Sequence, residues 1–321
     1  INKTNYTFKI TGYYKNMDKI IGLVFEKLKK EGKSSANPLK ESFGNRYNFK
    51  FVLLALFGAT MGQGVIWYTG QFYAMSFIGK VCGVTGNQTD TIMAIALLLA
   101  TPLFVVFGSL SDRIGRKSIM MAGILLAILS YRPIYQKIFT TIDRTDKSES
   151  IEKKQSIINT TPLAGNSMDS LRVTVTKSFY TDNSLMETTK KDTLFHDGSI
   201  GINKETKKSI TLNNNDYWLI VLLVFIQVVF VTMVYGPIAA FLVELFPARI
   251  RYTSMSLPYH IGNGIFGGLL PTVATYLVTT AKNNNDPSWF LNGLWYPIIT
   301  GAICFIIGML YLNDNKIKNE N

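Results

Sequence analysis

Only two cysteines occur in the 321 residues, Cys82 and Cys304, with no CxxC spacing and no ligand cluster beside either. That excludes a disulfide framework and a zinc site. No HExxH, GxSxG or P-loop pattern is present, and no paired carboxylates fall inside an apolar run. The motifs of hydrolytic and nucleotide chemistry are therefore missing, and no cofactor is implied. Charge is scarce as well: Asp, Glu, Lys and Arg make up 17%, below the roughly 25% of soluble domains, and most lie outside the apolar runs. The chain opens on Ile1 rather than Met, without a signal-peptide pattern. It reads as a fragment or a processed product.

What the sequence does contain is long apolar runs. A membrane helix needs about 20 predominantly apolar residues, and six candidates qualify: Phe51–Ile78, Thr91–Leu110, Ser118–Phe139, Tyr217–Val243, Tyr252–Ala281 and Trp289–Leu312. Helix is the form expected of each, because isolated strands cannot satisfy their backbone in lipid. The third is the weakest, being uncharged only to Tyr131 and then carrying Arg132 and Lys137. By helix rise these two lie about 22 Å and about 30 Å from Lys117. Lys137 reaches the headgroups; Arg132 either snorkels there or offers an anion contact in an outer vestibule.

The net charge of +12 is uneven, with 11 Lys/Arg against 4 Asp/Glu in residues 1–50. A basic chain can bind nucleic acid, but beside these apolar runs the charge reads as membrane-flanking. Lys80 and Lys282 are the single positives of two short connections on one side. The other side holds residues 1–50, then Arg113, Arg116 and Lys117, then Arg249 and Arg251, then Lys316 and Lys318. The positive-inside rule makes that second side, with both termini, cytoplasmic. Within 1–50, Asp18–Lys30 carries Ile20, Ile21, Val24 and Leu28 and reads either as an amphipathic helix on an anionic surface or as a solvated linker. Residues 140–215 are polar and too long for a structureless loop in a compact protein; they are expected outside. Leu171–Lys177 alternates at period two, so a small β cap and a disordered loop both remain open. Residues 314–321 form a cytoplasmic tail.

The turn Gly108-Ser-Leu-Ser-Asp112-Arg113-Ile-Gly115-Arg116-Lys117 is too short and too charged for an ordinary loop. Gly108 is expected to let the helix ends approach, Asp112 to accept from the free N–H groups opening the next helix, and Gly115 to keep that first turn thin. Its pattern, G-x-x-x-D-R-x-G-R-K, resembles the cytoplasmic loop signature of the major facilitator superfamily. Tyr235-Gly-Pro-Ile-Ala-Ala-Phe-Leu-Val-Glu244-Leu-Phe-Pro247-Ala-Arg249-Ile-Arg251 through His260, Asn263 and Gly264 resembles the metabolite:proton symporters of that superfamily. So does Met61-Gly-Gln63-Gly-Val-Ile-Trp67-Tyr68-Thr-Gly-Gln71 in the first span.

The resemblance implies an all-α membrane protein, the second six-helix half of a twelve-span transporter, whose first half and proton-binding carboxylate lie elsewhere. It further implies a cytoplasmic latch of ion pairs, placed on Gly108, Asp112, Arg113, Gly115, Arg116, Glu244, Arg249 and Arg251. Positive-inside anchoring would explain the arginines but not Asp112 or Glu244.

Polar residues inside the spans are the candidate substrate contacts. Gln63, Trp67 and Gln71 recur at i, i+4 and i+8 on one helix face, with Tyr68 beside them. They suit a cavity that stacks on and hydrogen-bonds a polar metabolite, or hydrogen-bonded glue between helices. Ser256, His260 and Asn263 form a second stripe, with Gly264 and Gly268 as a close-packing surface. His260, about 12 Å from the cytoplasmic end, either titrates in proton transfer or stays neutral against a neighbour. Gln227 and Tyr235 are similar candidates on the fourth span. The expected function is proton-coupled symport of a small polar metabolite in a bacterial cytoplasmic membrane, by alternating access. The expected partners are the metabolite, protons, the bilayer and the other six-helix half, without nucleic acid. A fragment alone is not expected to transport. The alternative is a receptor that uses 140–215 as a sensor, against which stands a loop whose aromatic content is nearly confined to Phe179, Tyr180 and Phe195. An organic anion would want Arg132 or His260; a zwitterion would suit Trp67 and Tyr68 through cation–π contact.

Overall fold

The computed structural model describes residues 37–150, 153–163, 166–197, 199–247 and 250–312. The Asp18–Lys30 segment and the 314–321 tail lie outside the described residues. A short helix, α1 (Pro38–Gly44), starts at Asn37, whose Oδ1 accepts from the Lys40 N–H at 3.0 Å, with Pro38 in the first turn. Among the described residues, six further helices are long and apolar enough to cross a membrane: α2 (Arg46–Val81), α3 (Gly86–Ile114), α4 (Arg116–Ile142), α5 (Asn214–Leu245), α6 (Arg251–Asn283) and α7 (Trp289–Tyr311). The first five run beyond their apolar stretches at both ends, because polar residues such as Arg46 and Asn214 continue the helix past the hydrophobic segment. α1 docks on α6, where the buried Ser254 hydroxyl donates to Ser42 at 2.9 Å.

α2 is the centre of the bundle. It carries π-type turns at Leu56–Thr60, Thr69–Tyr73 and Phe77–Val81, and α6 carries one at Gly262–Gly267. Between helices in lipid there is no hydrophobic drive, so close packing and hydrogen bonds must hold them. Glycines supply the closeness. A Cβ on Gly262 would lie 2.6 Å from the Thr60 carbonyl of α2, and one on Gly64 would run into the Gly262 carbonyl. On the α7 side, a Cβ on Gly308 would lie 2.6 Å from the Gly58 carbonyl, and one on Gly62 equally close to Cys304 Sγ. On the α5 side, Gly70 receives Val231. Hydrogen bonds follow the same contacts: Thr60 Oγ1 donates to the Pro258 carbonyl at 2.7 Å, and Tyr135 of α4 donates to the Thr69 carbonyl at 2.9 Å.

The close-packing glycines on α6 are thus Gly262 and Gly267, not the expected Gly264 and Gly268. A Cβ on Gly264 would meet open space, while that of Gly268 would meet the Gly264 carbonyl of its own helix. A π turn changes which residues share a face, and the straight-helix spacing does not survive it.

The polar insertion is folded. Four strands, β1 (Gln155–Leu163), β2 (Asn166–Phe179), β3 (Leu185–Leu194) and β4 (Ile200–Thr211), form an antiparallel meander in sequence order. Thr and Val alternate along β2, a β-branched pattern that suits a pleated surface. The β2–β3 turn places Asn183 at φ 64° and closes on Asp182, whose Oδ1 accepts from the Ser184 N–H at 2.9 Å. Several hydrogen bonds tie the sheet to the helices. The Ile210 N–H donates to the Gly83 carbonyl at 2.7 Å, and the Leu212 N–H donates to Gln88 Oε1, also at 2.7 Å. Lys147 Nζ then bridges Asp182 at 2.7 Å and Asp216 at 2.9 Å, with Arg144 Nη1 3.3 Å from Asp216. Burial opposes ionisation of Asp182, but hydrogen bonds from Lys147 and Ser184 outweigh it and hold the carboxyl well below the usual carboxylate range.

Two outcomes are expected. Gly64→Val should destabilise the detergent-solubilised chain by about 1–3 kcal/mol through overpacking against α6, whereas Gly108→Ala, whose Cβ meets open space, should be neutral or stabilising; thermal unfolding measures both. The depressed Asp182 pKa makes its pairing fully stabilising above the unfolded value of about 3.9 and progressively lost as pH falls from there through the folded value. Hydrogen exchange should find the β2–β3 turn protected at about pH 5 and opening only in stronger acid, while Asp182→Asn should open it near neutral pH.

Candidate functional site

Two clusters bring candidate residues together. The first lies at the end of the bundle opposite the sheet, where α3 passes into α4. Gly115 sits at φ 102°, ψ 131°, a backbone state open to glycine and strained for other residues, and it breaks the helix between Ile114 and Arg116. The break turns Arg116 back across the end of α3. Its Nη2 lies 2.9 Å from Asp112 Oδ1, and its Nη1 pairs closely with Glu244 Oε1 at the end of α5. The side chain of Arg116 is 20% exposed, against 61% for Asp112 and 55% for Glu244. One guanidinium thus joins three helices, held by two carboxylates that still reach solvent. Lys117 extends the tie to a fourth helix by donating to the Met309 carbonyl at 3.0 Å and to that of Leu312, both near the C-terminal end of α7.

Several expectations for this turn differ from the geometry. Asp112 lies inside the last turns of α3 and meets the Arg116 side chain rather than the N–H groups opening α4; Gly115 is the residue capping α4. The close approach at this end belongs to Gly236 of α5, where a Cβ would lie 3.1 Å from the Phe104 carbonyl and 3.4 Å from Gly108 N. Gly108 supplies backbone for that contact rather than room for it. Arg251 Nε donates to the Phe246 carbonyl at 3.1 Å, so it braces the α5–α6 connection. Arg113 is exposed. Arg249 lies outside the described residues.

The second cluster lies within the bundle. Gln63 of α2, nearly fully buried, and Asn263 of α6 pair amide to amide: Gln63 Nε2 donates to Asn263 Oδ1 at 2.9 Å, and Asn263 Nδ2 donates back to Gln63 Oε1 at 3.0 Å. Asn263 Nδ2 also reaches the Tyr259 carbonyl at 2.9 Å. The Tyr259 and Tyr235 hydroxyls share a hydrogen bond of 2.6 Å, and the Tyr235 ring packs on Trp67 with centroids 4.6 Å apart. Gln63, Trp67, Tyr235 and Asn263 are therefore one polar and aromatic assembly linking α2, α5 and α6. Trp67, Tyr235 and Tyr259 are half-buried in it. Tyr259 was not singled out in the sequence; a lone tyrosine beside a polar stripe carries no periodic signal.

The remaining candidates stand apart. Tyr68 packs on Phe72 and over Gly267. Gln71 is half-buried farther along α2. Gln227 is fully buried; its Nε2 reaches the Leu223 carbonyl at 3.4 Å, and its Oε1 has no partner among the described residues. His260 is exposed on the bundle surface, its ring 5.8 Å from that of Tyr259, so it does not face the buried assembly. Arg132 is half-buried, with its guanidinium 4.9 Å from the Trp295 ring centroid.

Against known proteins, the chain is 22% identical over 281 residues to the alpha-ketoglutarate permease of Escherichia coli, covering 88% of this chain and 46% of that protein. It is 21% identical over 253 residues to a protein of Staphylococcus haemolyticus named as a proline/betaine transporter, covering 78% of this chain and 37% of the relative. A shorter stretch of 62 residues, 19% of this chain and 14% of the relative, is 36% identical to the citrate-proton symporter of Salmonella typhi. The chain is related to bacterial metabolite transporters. These relatives are permeases and symporters rather than enzymes, and with six apolar helices they make the chain an integral multi-pass membrane protein. It spans less than half the length of these curated relatives. No family model and no solved structure matches it.

The amide pair gives a direct test. In a double-mutant cycle, Gln63→Leu and Asn263→Leu should each destabilise the chain, and together by less than their sum. The coupling expected is about 0.6 kcal/mol and at most about 1.7 kcal/mol, the mean and the maximum for hydrogen bonds between membrane helices, and thermal unfolding measures it.

Proposed function

We propose that this chain is the second six-helix unit of a proton-coupled symporter for a small polar metabolite, working by alternating access, with the Arg116 end of the bundle cytoplasmic and the β sheet outside. The observation that carries the reading is the single guanidinium of Arg116 held by Asp112 and Glu244. It joins the ends of α3, α4 and α5 with a contact that solvent can reach and that separation of those helices can break. That is the form a gate latch requires. It also accounts for two carboxylates at a basic surface, where anchoring alone would favour only cations.

In this reading the Trp67–Tyr235–Tyr259 group forms this unit's wall of the substrate cavity, with the Gln63–Asn263 pair behind it fixing α2 against α6. Aromatic faces and hydroxyls suit a metabolite of mixed polarity, in the range of citrate, alpha-ketoglutarate or proline and betaine that the relatives' names span. Carboxylates occur in the six helices only near their ends, at Asp90, Asp112, Asp216 and Glu244. The proton-binding carboxylate is accordingly assigned to a companion six-helix unit, which would cover the face of α6 that carries His260.

Vesicles from cells expressing the gene that carries this chain test the proposal. An acid-outside gradient is expected to drive accumulation of one of these metabolites, and a protonophore to abolish it. Accumulation indifferent to the protonophore would overturn proton coupling, and no accumulation of any of them would overturn the substrate range. Glu244→Gln and Arg116→Gln should each slow initial uptake about two- to fivefold, the kinetic equivalent of an exposed ion pair, with Arg116→Lys retaining part of the rate.

A further inference from the structure

At the end of the bundle opposite Arg116, the β sheet and the helix ends enclose a cavity of ≈ 690 Å³, within the roughly 300–1,000 Å³ of small-molecule sites. Its walls come from both layers. The end of α2 gives Lys80, the end of α4 and the residues after it give Phe139, Asp143 and Arg144, β4 gives Lys208, the end of α6 gives Lys282, and the start of α7 gives Trp289. The walls are fixed to each other, because β4 is hydrogen-bonded to Gly83 within the α2–α3 connection.

The charge in this space is one-sided. Among the described residues that line it, Lys80, Lys208 and Lys282 stand with a single carboxylate, Asp143, whose Oδ1 is already engaged by the Thr145 N–H at 3.2 Å and hydroxyl at 2.7 Å. Arg144 has a side chain only 3% exposed, and its Nε has no acceptor among the described residues although Nη1 and Nη2 reach Asp216. The apolar wall is aromatic: Phe139 stacks on Phe290 at 3.8 Å, and Trp289 carries the Lys282 ammonium 4.8 Å from its centroid.

We infer that this cavity is a second binding site, for a small organic anion with two or more carboxylates, held by the lysines with its carbon frame against Trp289 and Phe139. The site lies outside the aromatic assembly of the helices, and the inference goes beyond the transport reading: binding here needs neither a proton gradient nor a companion unit. The folded sheet then has a defined part, as the lid and one cationic wall of the site.

Equilibrium binding of radiolabelled citrate to the purified full chain in detergent, at low ionic strength, tests it. Saturable binding is expected. The double variant Lys208→Gln/Lys282→Gln should weaken it about tenfold or more, since two charge-assisted contacts are removed; both lysines are exposed, and circular dichroism checks that the fold is retained. Citrate should change the tryptophan fluorescence, and Trp289→Phe should remove that change while Trp67, Trp218 and Trp295 remain. Inorganic phosphate should compete only weakly, lacking a frame for the aromatic wall, and glycine betaine not at all. The assignment is overturned by absence of saturable citrate binding to the folded chain, by unchanged affinity in the double variant, or by a fluorescence change that survives Trp289→Phe. Competition by betaine or phosphate as strong as by citrate itself overturns the ligand class. Binding that persists where vesicle uptake fails would overturn the transport reading and leave this site standing.

Discussion

The contact of α2 with α6, backbone against backbone at Thr60, Gly64 and Gly262, governs how the other helices sit. Lipid tails are as apolar as leucine, so burying an apolar side chain between two membrane helices gains little over leaving it in lipid. What remains is close van der Waals contact and hydrogen bonding, and both require the axes to come near. The π turns in α2 and α6 and the glycines beside them allow that. Once α6 is this close, Thr60 can reach the Pro258 carbonyl and Gln63 can meet Asn263. The same helix takes α7 on Gly58 and Gly62, α5 on Gly70, and α4 through Tyr135. α2 is therefore a shared wall, and a disturbance of it reaches the aromatic assembly directly through Trp67.

Around this wall the two ends of the bundle differ in kind. One end is joined by side-chain charges that remain partly in water, with Arg116 between Asp112 and Glu244. Exposed ion pairs are weak and readily exchanged for hydration, which suits a contact that must open. The other end is joined by backbone hydrogen bonds from β4 to Gly83 and by the Lys147–Asp182–Asp216 cluster, with Arg144 buried at its side. Those ties are numerous and partly buried, and they suit a lid that stays in place while the opposite end moves. A reversible end and a fixed end on one bundle is the arrangement expected of the transport reading proposed above.

Much of this was legible in the sequence, for reasons that differ by element. Five of the six helices follow from uncharged apolar runs and α4 from a run interrupted by Arg132 and Lys137, and their extra turns follow from capping and polar residues that hydropathy does not register. The β sheet is half legible: the alternation in Leu171–Lys177 indicates a strand, but its partners are β1 and β3, and the Lys- and Thr-rich composition of β3 equally fits a solvated loop. The Asp112–Arg116–Glu244 cluster came from motif resemblance. Its geometry did not, because Gly115 at positive φ turns Arg116 back onto Asp112. His260 was placed on a polar stripe with Asn263 by straight-helix spacing. The π turn at Gly262–Gly267 alters that spacing, so Asn263 faces Gln63 while His260 is exposed. Wide helical turns leave no composition signal, and Tyr259, a lone tyrosine beside the stripe, carries no periodic one.

The most direct test of the central contact is oxidative cross-linking in native membranes. With Cys82 and Cys304 replaced by serine, Gln63→Cys and Asn263→Cys should together form an intramolecular disulfide on mild oxidation, seen as a reducible shift in gel mobility, while Gln63→Cys paired with His260→Cys should not. Failure of the first pair to cross-link, or equal cross-linking by the second, would contradict the α2–α6 apposition on which the account rests.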